Sequence, residues 1–210
     1  MWRDAVSSRV GVIQLGAFSG DLIKFYRARL GDRGSRASKL KLWLLNSELH
    51  AVACYRFGQL ARRLRSKNRT IGTLAFAMYQ VWNRWTTHVD HIDISSRAEI
   101  GPGLFLMHRH GIIIGPCRIG RNCLIHQNVT IGQRVAGRER AVPQIGDNVW
   151  IGPGAVISGG ISIGDGTTIS AGTVLSKDVP PRSLVGGNPG RIIGRDYDNS
   201  TFLSRLPDDL

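Results

Sequence analysis

Residues 145–175 read IGDNVW-IGPGAV-ISGGIS-IGDGTT-ISAGTV-L, with an aliphatic residue at every sixth position. An amphipathic helix repeats near every 3.6 residues and a half-buried strand every 2, so a period of six fits neither. The period is typical of a short strand, a corner eased by glycine, and the next short strand. Three such units make one triangular coil, and coils stacked with paired backbones form a parallel β-helix.

A second, less regular series precedes this stretch. It runs through Ile100, Leu106, Ile113, Ile119, Ile125 and Ile131, with a single seven-residue step after Leu106. A small or β-branched residue often stands four positions after each aliphatic one, and we expect it to pack inside the coil. Two of these positions hold Cys117 and Cys123, which we therefore predict to be core residues. Three cysteines do not make a disulfide framework, which fits a reducing cytosol.

Specific segments accompany the repeat. They are Asp93-Ile-Ser-Ser-Arg-Ala-Glu-Ile-Gly-Pro-Gly, His108-Arg-His-Gly-Ile-Ile-Ile-Gly, Gln127-Asn-Val-Thr-Ile-Gly, Ser176-Lys-Asp-Val-Pro-Pro and Gly187-Asn-Pro-Gly-Arg191. The repeat resembles that of the hexapeptide acyltransferases, and residues 93–194 are similar to the serine acetyltransferases. The resemblance implies a left-handed β-helix that binds acyl-CoA between the subunits of a homotrimer, which in some cases pairs into a hexamer. It covers about half of the chain.

The predicted fold class is α+β, with an N-terminal α-helical region followed by a left-handed parallel β-helix of about four coils. We place the basic helical region at residues 1–90, the acetyltransferase domain at 91–194, and a loose tail, rich in aspartate, at 195–210. Within the first region, residues 38–65 are expected to form one or two helices and residues 71–85 another. Their apolar positions include Leu40, Leu45, Leu49, Val52, Tyr55 and Leu60.

His108 interrupts the repeat and is the candidate general base. A histidine titrates near neutral pH and can take a proton from a hydroxyl that attacks a thioester. Asp93 lies 15 residues earlier, close to one coil, and a carboxylate there could orient the imidazole. The resemblance assigns the roles of base and orienting carboxylate to these two positions. His110 is expected to be a partly buried packing residue, and His126 is a weaker candidate for lining the cleft.

The cofactor prediction is acetyl-CoA, without a metal. The resemblance places Ala171, Ser176, Lys177 and Arg191 where related enzymes contact the pantetheine arm or the phosphates, and Lys and Arg suit phosphates. A zinc site would require three histidines at fixed spacing around one point, which the sequence does not indicate. No complete dinucleotide fingerprint occurs either.

The acceptor prediction depends on three apolar residues. The resemblance implies an Asp before the base and an Arg-His pair in the loop between Ile131 and Ile145, whereas this chain has Met107, Ala141 and Val142. Arg138 or Arg140 could substitute by a shift along the loop. We therefore expect O-acetylation of a saccharide in cell-surface polysaccharide biosynthesis. L-Serine is the close alternative, and a non-catalytic β-helix assembly module is the third.

The net charge of +13 lies almost entirely in the helical region. Residues 1–90 carry 16 basic and 5 acidic side chains, and residues 91–210 carry 12 and 10. A uniformly positive enzyme for acidic substrates is therefore disfavoured, and no nucleic-acid-binding motif accompanies the charge. The helices fit either a cap on the β-helix or an anionic membrane surface. We expect a cytoplasmic protein, with the inner face of the membrane as a second location, and no transmembrane helix.

Overall fold

The computed structural model describes residues 16–31, 34–133 and 141–203. The helices come first: α1 (Ala17–Leu30), α2 (Arg36–Leu45), α3 (Ser47–Lys67), α4 (Arg69–Trp85) and a π-helical turn (Thr86–Asp90). Asparagine separates α2 from α3 and α3 from α4. The side chain of Asn46 accepts a hydrogen bond from the Leu49 N–H and begins α3, and Asn68 caps α4 in the same way. The segment 38–65 is therefore two helices, because Asn46 ends one and caps the next.

Fifteen short strands follow the helices in the described residues. They are β1 (Ile92–Ile94), β2 (Glu99–Ile100), β3 (Phe105–Met107), β4 (Ile112–Ile114), β5 (Arg118–Ile119), β6 (Leu124–His126), β7 (Thr130–Gly132), β8 (Gln144–Ile145), β9 (Trp150–Ile151), β10 (Val156–Ser158), β11 (Ser162–Ile163), β12 (Thr168–Ile169), β13 (Val174–Leu175), β14 (Leu184–Gly186) and β15 (Arg191–Gly194). They form three parallel sheets, β1-β4-β7-β10-β13, β2-β5-β8-β11 and β3-β6-β9-β12-β14, and β15 pairs antiparallel with β14. The predicted parallel β-helix is confirmed, with about five turns instead of four.

The interior of the β-helix consists of three columns of aliphatic side chains. They are Ile94-Ile114-Ile131-Ile157-Leu175, Ile100-Ile119-Ile145-Ile163 and Leu106-Ile125-Ile151-Ile169-Val185, all buried. The small positions of the repeat are buried beside them, so the prediction that Cys117 and Cys123 are core residues is confirmed. Adjacent turns approach closely at their corners, where a Cβ on Gly101 would lie only 2.7 Å from the Gly120 carbonyl oxygen.

One residue of the aliphatic series does not face the core, contrary to the prediction. Ile113 points outward and is half exposed, whereas Ile112 and Ile114 are buried. Ile114 pairs with Ile94 and Ile131 in the neighbouring turns. The corner after β3 is thus longer than the sequence suggested, because the step from Leu106 to Ile114, the next residue of the aliphatic columns, is eight residues. The three consecutive isoleucines offer no local signal for this register.

Helices α1 and α3 close the N-terminal end of the β-helix. Phe25 of α1 and Leu49, Val52 and Tyr55 of α3 belong to the same buried cluster as the strands. The Tyr55 hydroxyl donates to the carbonyl of Ala98 (2.9 Å) and accepts from the Ile100 N–H (3.1 Å). This part of the helical region is a cap that shares the core of the β-helix.

A buried ion pair fixes that cap. The Asp21 carboxylate accepts hydrogen bonds from Arg56 Nε (2.8 Å) and from the N–H groups of Gly103 (2.8 Å) and Leu104 (2.9 Å). Arg56 also donates to the carbonyls of Ile100 and Gly101. The Arg56 guanidinium thus makes five hydrogen bonds to four residues, Asp21, Gln59, Ile100 and Gly101, where the helices meet the end of the β-helix.

Other side chains of the predicted apolar face are not covered. Leu49, Val52 and Tyr55 are buried, but Leu40, Leu45 and Leu60 are exposed. Helix α2 buries no side chain. The helical region therefore has apolar surface beyond the part that packs on the β-helix.

The segment after Gly194 is packed, at least as far as Leu203. The Asn199 side chain donates to the carbonyl of Asn148 (2.9 Å), Leu203 is buried, and Phe202, in a 3-10 turn (Ser200–Phe202), contacts Trp150. The expectation of a loose tail is wrong for residues 195–203, because Asn199 hydrogen-bonds to the turn before β9 and Phe202 packs on Trp150 of β9. Asp208 and Asp209 lie outside the described residues.

Candidate active site

One edge of the triangular β-helix carries two of the six predicted functional residues, His108 and Ala171. We call it the His108 corner. It consists of the turns after β3, β6, β9, β12 and β14, at residues 108–111, 127–129, 152–155, 170–173 and 187–190. His108 lies in the first turn of the corner and Ala171 in the fourth. Turns rise by the strand spacing of about 4.8 Å, so roughly 14 Å separates these two residues along the axis.

His108 is exposed at the end of β3 and has a left-handed backbone conformation. Its φ is 62°, and that of His110 is 140°. Positive φ is uncommon for residues other than glycine and is found most often at turns and functional sites. The conformation ends β3 at Met107 and turns the imidazole out of the sheet. An exposed imidazole at this place is accessible to a substrate and to a proton acceptor.

Aromatic side chains continue from His108 across the next turns. His126 lies one turn further, with its ring centroid 6.3 Å from that of His108, and it contacts Trp150 at 4.8 Å. Trp150 in turn contacts Phe202 at 5.8 Å. Burial lowers the pKa of His126 below its ordinary value, and the charge of His108 acts in the same direction. The environment thus favours the neutral form of His126 beside the candidate base.

Asp93 lies on β1, in the middle of the first strand of the β-helix. Its register partner is the outward-facing Ile113 of β4, so its carboxylate also points outward. Within the described residues, no hydrogen bond or ion pair joins Asp93 to His108. Burial raises the pKa of Cys54 and Tyr79, and the negative charge of Asp93 adds to both shifts, which places Asp93 near α3 and α4. A role for Asp93 in orienting His108 stays a prediction.

Three of the four predicted acetyl-CoA contacts line one cavity. Ser176 and Lys177 follow β13, and Arg191 begins β15; together with Pro189 and Gly190 they border a cavity of about 370 Å³. Ala171 is exposed in the adjacent turn at the His108 corner, and it does not line this cavity. A lysine and an arginine at one opening suit a ligand with several phosphates. Binding by all four residues stays a prediction.

The remaining sequence candidates are placed as follows. His110 is exposed, so its predicted packing role is wrong; Ile112 occupies that inward position instead. The His110 ring lies 5.6 Å from the His91 ring, measured between centroids.

Burial raises the pKa of the Cys123 thiol to about 12, so this side chain is not a nucleophile. No three His, Cys, Asp or Glu side chains in the described part of the chain are arranged to hold a metal.

The acceptor loop is only partly within the described residues. Arg138 and Arg140 lie outside them. Ala141 is exposed and lies against Gly160, Val142 is half-buried, and Met107 pairs with His126 in register. Thus Met107 and Val142, both apolar, are partly covered. The sequence did not predict Trp150 and Phe202 near the site, since Trp150 is one position before an inward residue and Phe202 comes from the segment expected to be loose.

Comparison with known proteins gives a consistent result. Residues 143–177 match the family described as bacterial transferase hexapeptide (six repeats). A serine acetyltransferase of Staphylococcus aureus (strain Mu50 / ATCC 700699) is 42% identical over 177 residues, which are 82% of this chain and 79% of that protein. The chain belongs to the serine acetyltransferase family. Its match to the enzyme of Staphylococcus xylosus is 43% identical but spans only 57% of each protein.

Solved structures of the serine acetyltransferase family share this fold. The enzyme of Brucella abortus strain S19, in complex with coenzyme A, has a TM-score of 0.70 at 28% identity, over 87% of this chain and 68% of that one. Soybean serine acetyltransferase complexed with serine has a TM-score of 0.69 at 30% identity, over 90% and 72%. The predicted resemblance is confirmed, and this member of the serine acetyltransferase family is an acyltransferase.

Proposed function

We propose that the chain is a serine O-acetyltransferase that transfers the acetyl group of acetyl-CoA to the hydroxyl of L-serine. The observation that carries the proposal is the 42% identity with the Staphylococcus aureus serine acetyltransferase over 79% of that protein. The fold shared with structures solved with coenzyme A and with serine supports it. The comparisons thus favour the alternative acceptor over the saccharide expected from the sequence.

His108 is the general base of the proposed reaction. Its imidazole takes the proton of the acceptor hydroxyl while the hydroxyl oxygen attacks the thioester carbonyl. A C–O bond forms and the C–S bond breaks, and the proton held by His108 then passes to the leaving thiolate of CoA. Transfer is direct, without an acyl-enzyme, because Cys54, Cys117 and Cys123 are all buried with raised thiol pKa values.

The co-substrate in this proposal extends from the His108 corner toward the far end of the β-helix. The phosphates bind at the cavity bordered by Lys177 and Arg191, and the pantetheine arm runs past Ala171 to bring the thioester to His108. The resemblance further predicts a homotrimer with acyl-CoA between subunits. Analytical ultracentrifugation of the full chain checks the trimer, and a monomeric mass would contradict it.

One observation still favours a saccharide acceptor: the residues expected to hold the acceptor are apolar. Met107, Ala141 and Val142 are apolar where the resemblance implies polar groups that hold serine, and Trp150 adds an aromatic surface near His126. Pyranose rings pack well on aromatic faces, whereas the charged ends of an amino acid require polar partners. An assay with both kinds of acceptor therefore distinguishes the two candidates.

The test follows the release of free CoA thiol from acetyl-CoA with L-serine or with a panel of mono- and oligosaccharides. We expect turnover with L-serine and formation of O-acetylserine. His108→Ala should reduce this rate by about 10²–10⁴, and His110→Ala, an exposed neighbour in the same corner, serves as the matched control. Turnover with a saccharide but not with L-serine would show that the sequence-based acceptor is right and the proposal wrong.

A further inference from the structure

Helix α4 has an apolar face that nothing in the described chain covers. Its residues are Ile71, Leu74, Met78, Val81 and Trp85, spaced three or four apart along one side of the helix and between 59% and 74% exposed. We call this set the apolar stripe. The opposite side packs on α3 through Gly72 and Tyr79, so helix α4 is held in place while the stripe stays in solvent. Exposed apolar surface of this extent marks an interaction site.

The stripe continues into neighbouring apolar surface. Met78, Val81 and Trp85 line an open groove of about 820 Å³ together with Phe57 and Trp82. Phe57 and Trp82, whose ring centroids are 6.1 Å apart, also line a second opening with Trp43 and Leu60. The exposed apolar surface therefore extends from α2 across α3 to the end of α4.

The charges around this surface have one sign. Among residues 16–31 and 34–90, the only acidic side chains are Asp21, Glu48 and Asp90, and all three are buried. Eleven lysines and arginines in these ranges are exposed: Arg27, Arg29, Arg36, Lys39, Lys41, Arg62, Arg63, Arg65, Lys67, Arg69 and Arg84. Arg84 borders the first groove and Arg63 the second. The occupant of this face must therefore be apolar where it meets the stripe and anionic around it.

We propose that this face docks peripherally on an anionic lipid bilayer. Apolar and Trp-bearing helices with cationic flanks bind in the plane of the interface, where acyl chains meet acidic headgroups. A second copy of the chain does not satisfy the charges, because a two-fold interface would place the same cations against one another. None of the described helices is long and apolar enough to cross a membrane, so the docking is along the surface.

The test is flotation of the full-length protein with vesicles of phosphatidylcholine alone or mixed with phosphatidylserine. We expect the wild-type chain to float with the anionic vesicles and to be released by salt. The double variant Val81→Glu/Trp85→Glu should reduce the bound fraction by about tenfold, because it places carboxylates in the stripe. The matched control is Ile193→Glu on β15, which changes a side chain of equal exposure on the β-helix.

Charge is tested separately. Arg63→Gln/Arg84→Gln should weaken binding to anionic vesicles and reduce its dependence on salt, whereas Arg182→Gln, an exposed arginine of the β-helix, should not. In the unaltered protein, brominated phosphatidylcholine in the anionic vesicles should quench tryptophan fluorescence. Trp85→Phe should remove part of that quenching. The quenching in the unaltered protein needs no variant at all, and Trp85→Phe introduces no charge.

Two outcomes would overturn the proposal. One is a wild-type chain that stays in solution with anionic vesicles; a smaller oligomer for Val81→Glu/Trp85→Glu, by ultracentrifugation, would then make the face a contact between copies. The other is binding to anionic vesicles that the arginine variants weaken but that Val81→Glu/Trp85→Glu leaves unchanged. That result would mean that the charges attract the protein to the vesicle although the stripe does not insert. Neither outcome bears on the acceptor of the proposed reaction.

Discussion

At the scale of single residues, the structure gives histidines of similar sequence position very different surroundings. His108 and His110 are separated by one residue and both have positive φ, yet only His108 is next to the His126–Trp150 pair. The sequence indicated His108 because it interrupts the repeat. It could not place His110, since that requires knowing that Ile112 and Ile114 point inward. That register depends on Ile94 and Ile131, which lie in other turns.

Lys24 is a buried lysine whose titration should be visible in the stability of the protein. Burial lowers its pKa from 10.5 to about 8, and its ammonium donates to the Cys123 carbonyl. Between pH 8 and 10.5 the Lys24 side chain is protonated in the unfolded chain and mostly neutral in the native one, so its contribution to the free energy of unfolding rises with pH. The rise attributable to Lys24 is roughly 3 kcal/mol.

Chemical unfolding at several pH values checks this prediction. The free energy of unfolding of the wild type should increase relative to that of Lys24→Met by about this amount across the window, because the buried thiols and tyrosines titrate alike in both proteins. Lys39→Met changes an exposed lysine of α2 and should keep the pH dependence of the wild type. Equal slopes for the wild type and Lys24→Met would contradict a lowered pKa.

At the scale of elements, the ion pair between α1 and α3 could not be predicted from the sequence pattern. The apolar spacing of α3 predicted its buried residues Leu49, Val52 and Tyr55. It could not show that Arg56 is buried, because an arginine in a basic stretch is ordinarily solvated. The partner, Asp21, is 35 residues earlier, and the two meet only on the first turn of the β-helix.

Asp21→Ala should destabilise the protein by about 3–5 kcal/mol, since it leaves the buried Arg56 guanidinium and two N–H groups without their carboxylate. Urea unfolding of the full chain measures the loss. Arg62→Ala, an exposed arginine of the same helix α3, should change stability by less than about 0.5 kcal/mol. Similar losses for both variants would mean that the ion pair does not anchor the cap.

At the scale of the whole molecule, the β-helix and its helical cap differ in how far their folds could be predicted from the sequence. In a β-helix each turn contacts only its neighbours, so the regular repeat of residues 145–175 was enough to predict the fold of that stretch. The cap shares its core with the first turns, and its fit depends on contacts distant in sequence. The segment 195–203 is similar, because Asn199 donates a hydrogen bond to Asn148 and Phe202 packs on Trp150, both about 50 residues earlier. No sequence repeat predicts these contacts.

Hydrogen exchange should show this division directly. Helix α3 buries eight residues and shares a core with β1–β6, so its amides should exchange with the same protection as those strands. Helix α2 buries none and is only ten residues long, so its amides should exchange much faster.

In Asp21→Ala the amides of α1, α3 and the first turn should lose protection together, by about a hundredfold. The amides of β10–β13 should keep their protection, because only neighbouring turns are coupled. Exchange of α3 well ahead of β1–β6 in the wild type would instead make the helical region a separate folding unit.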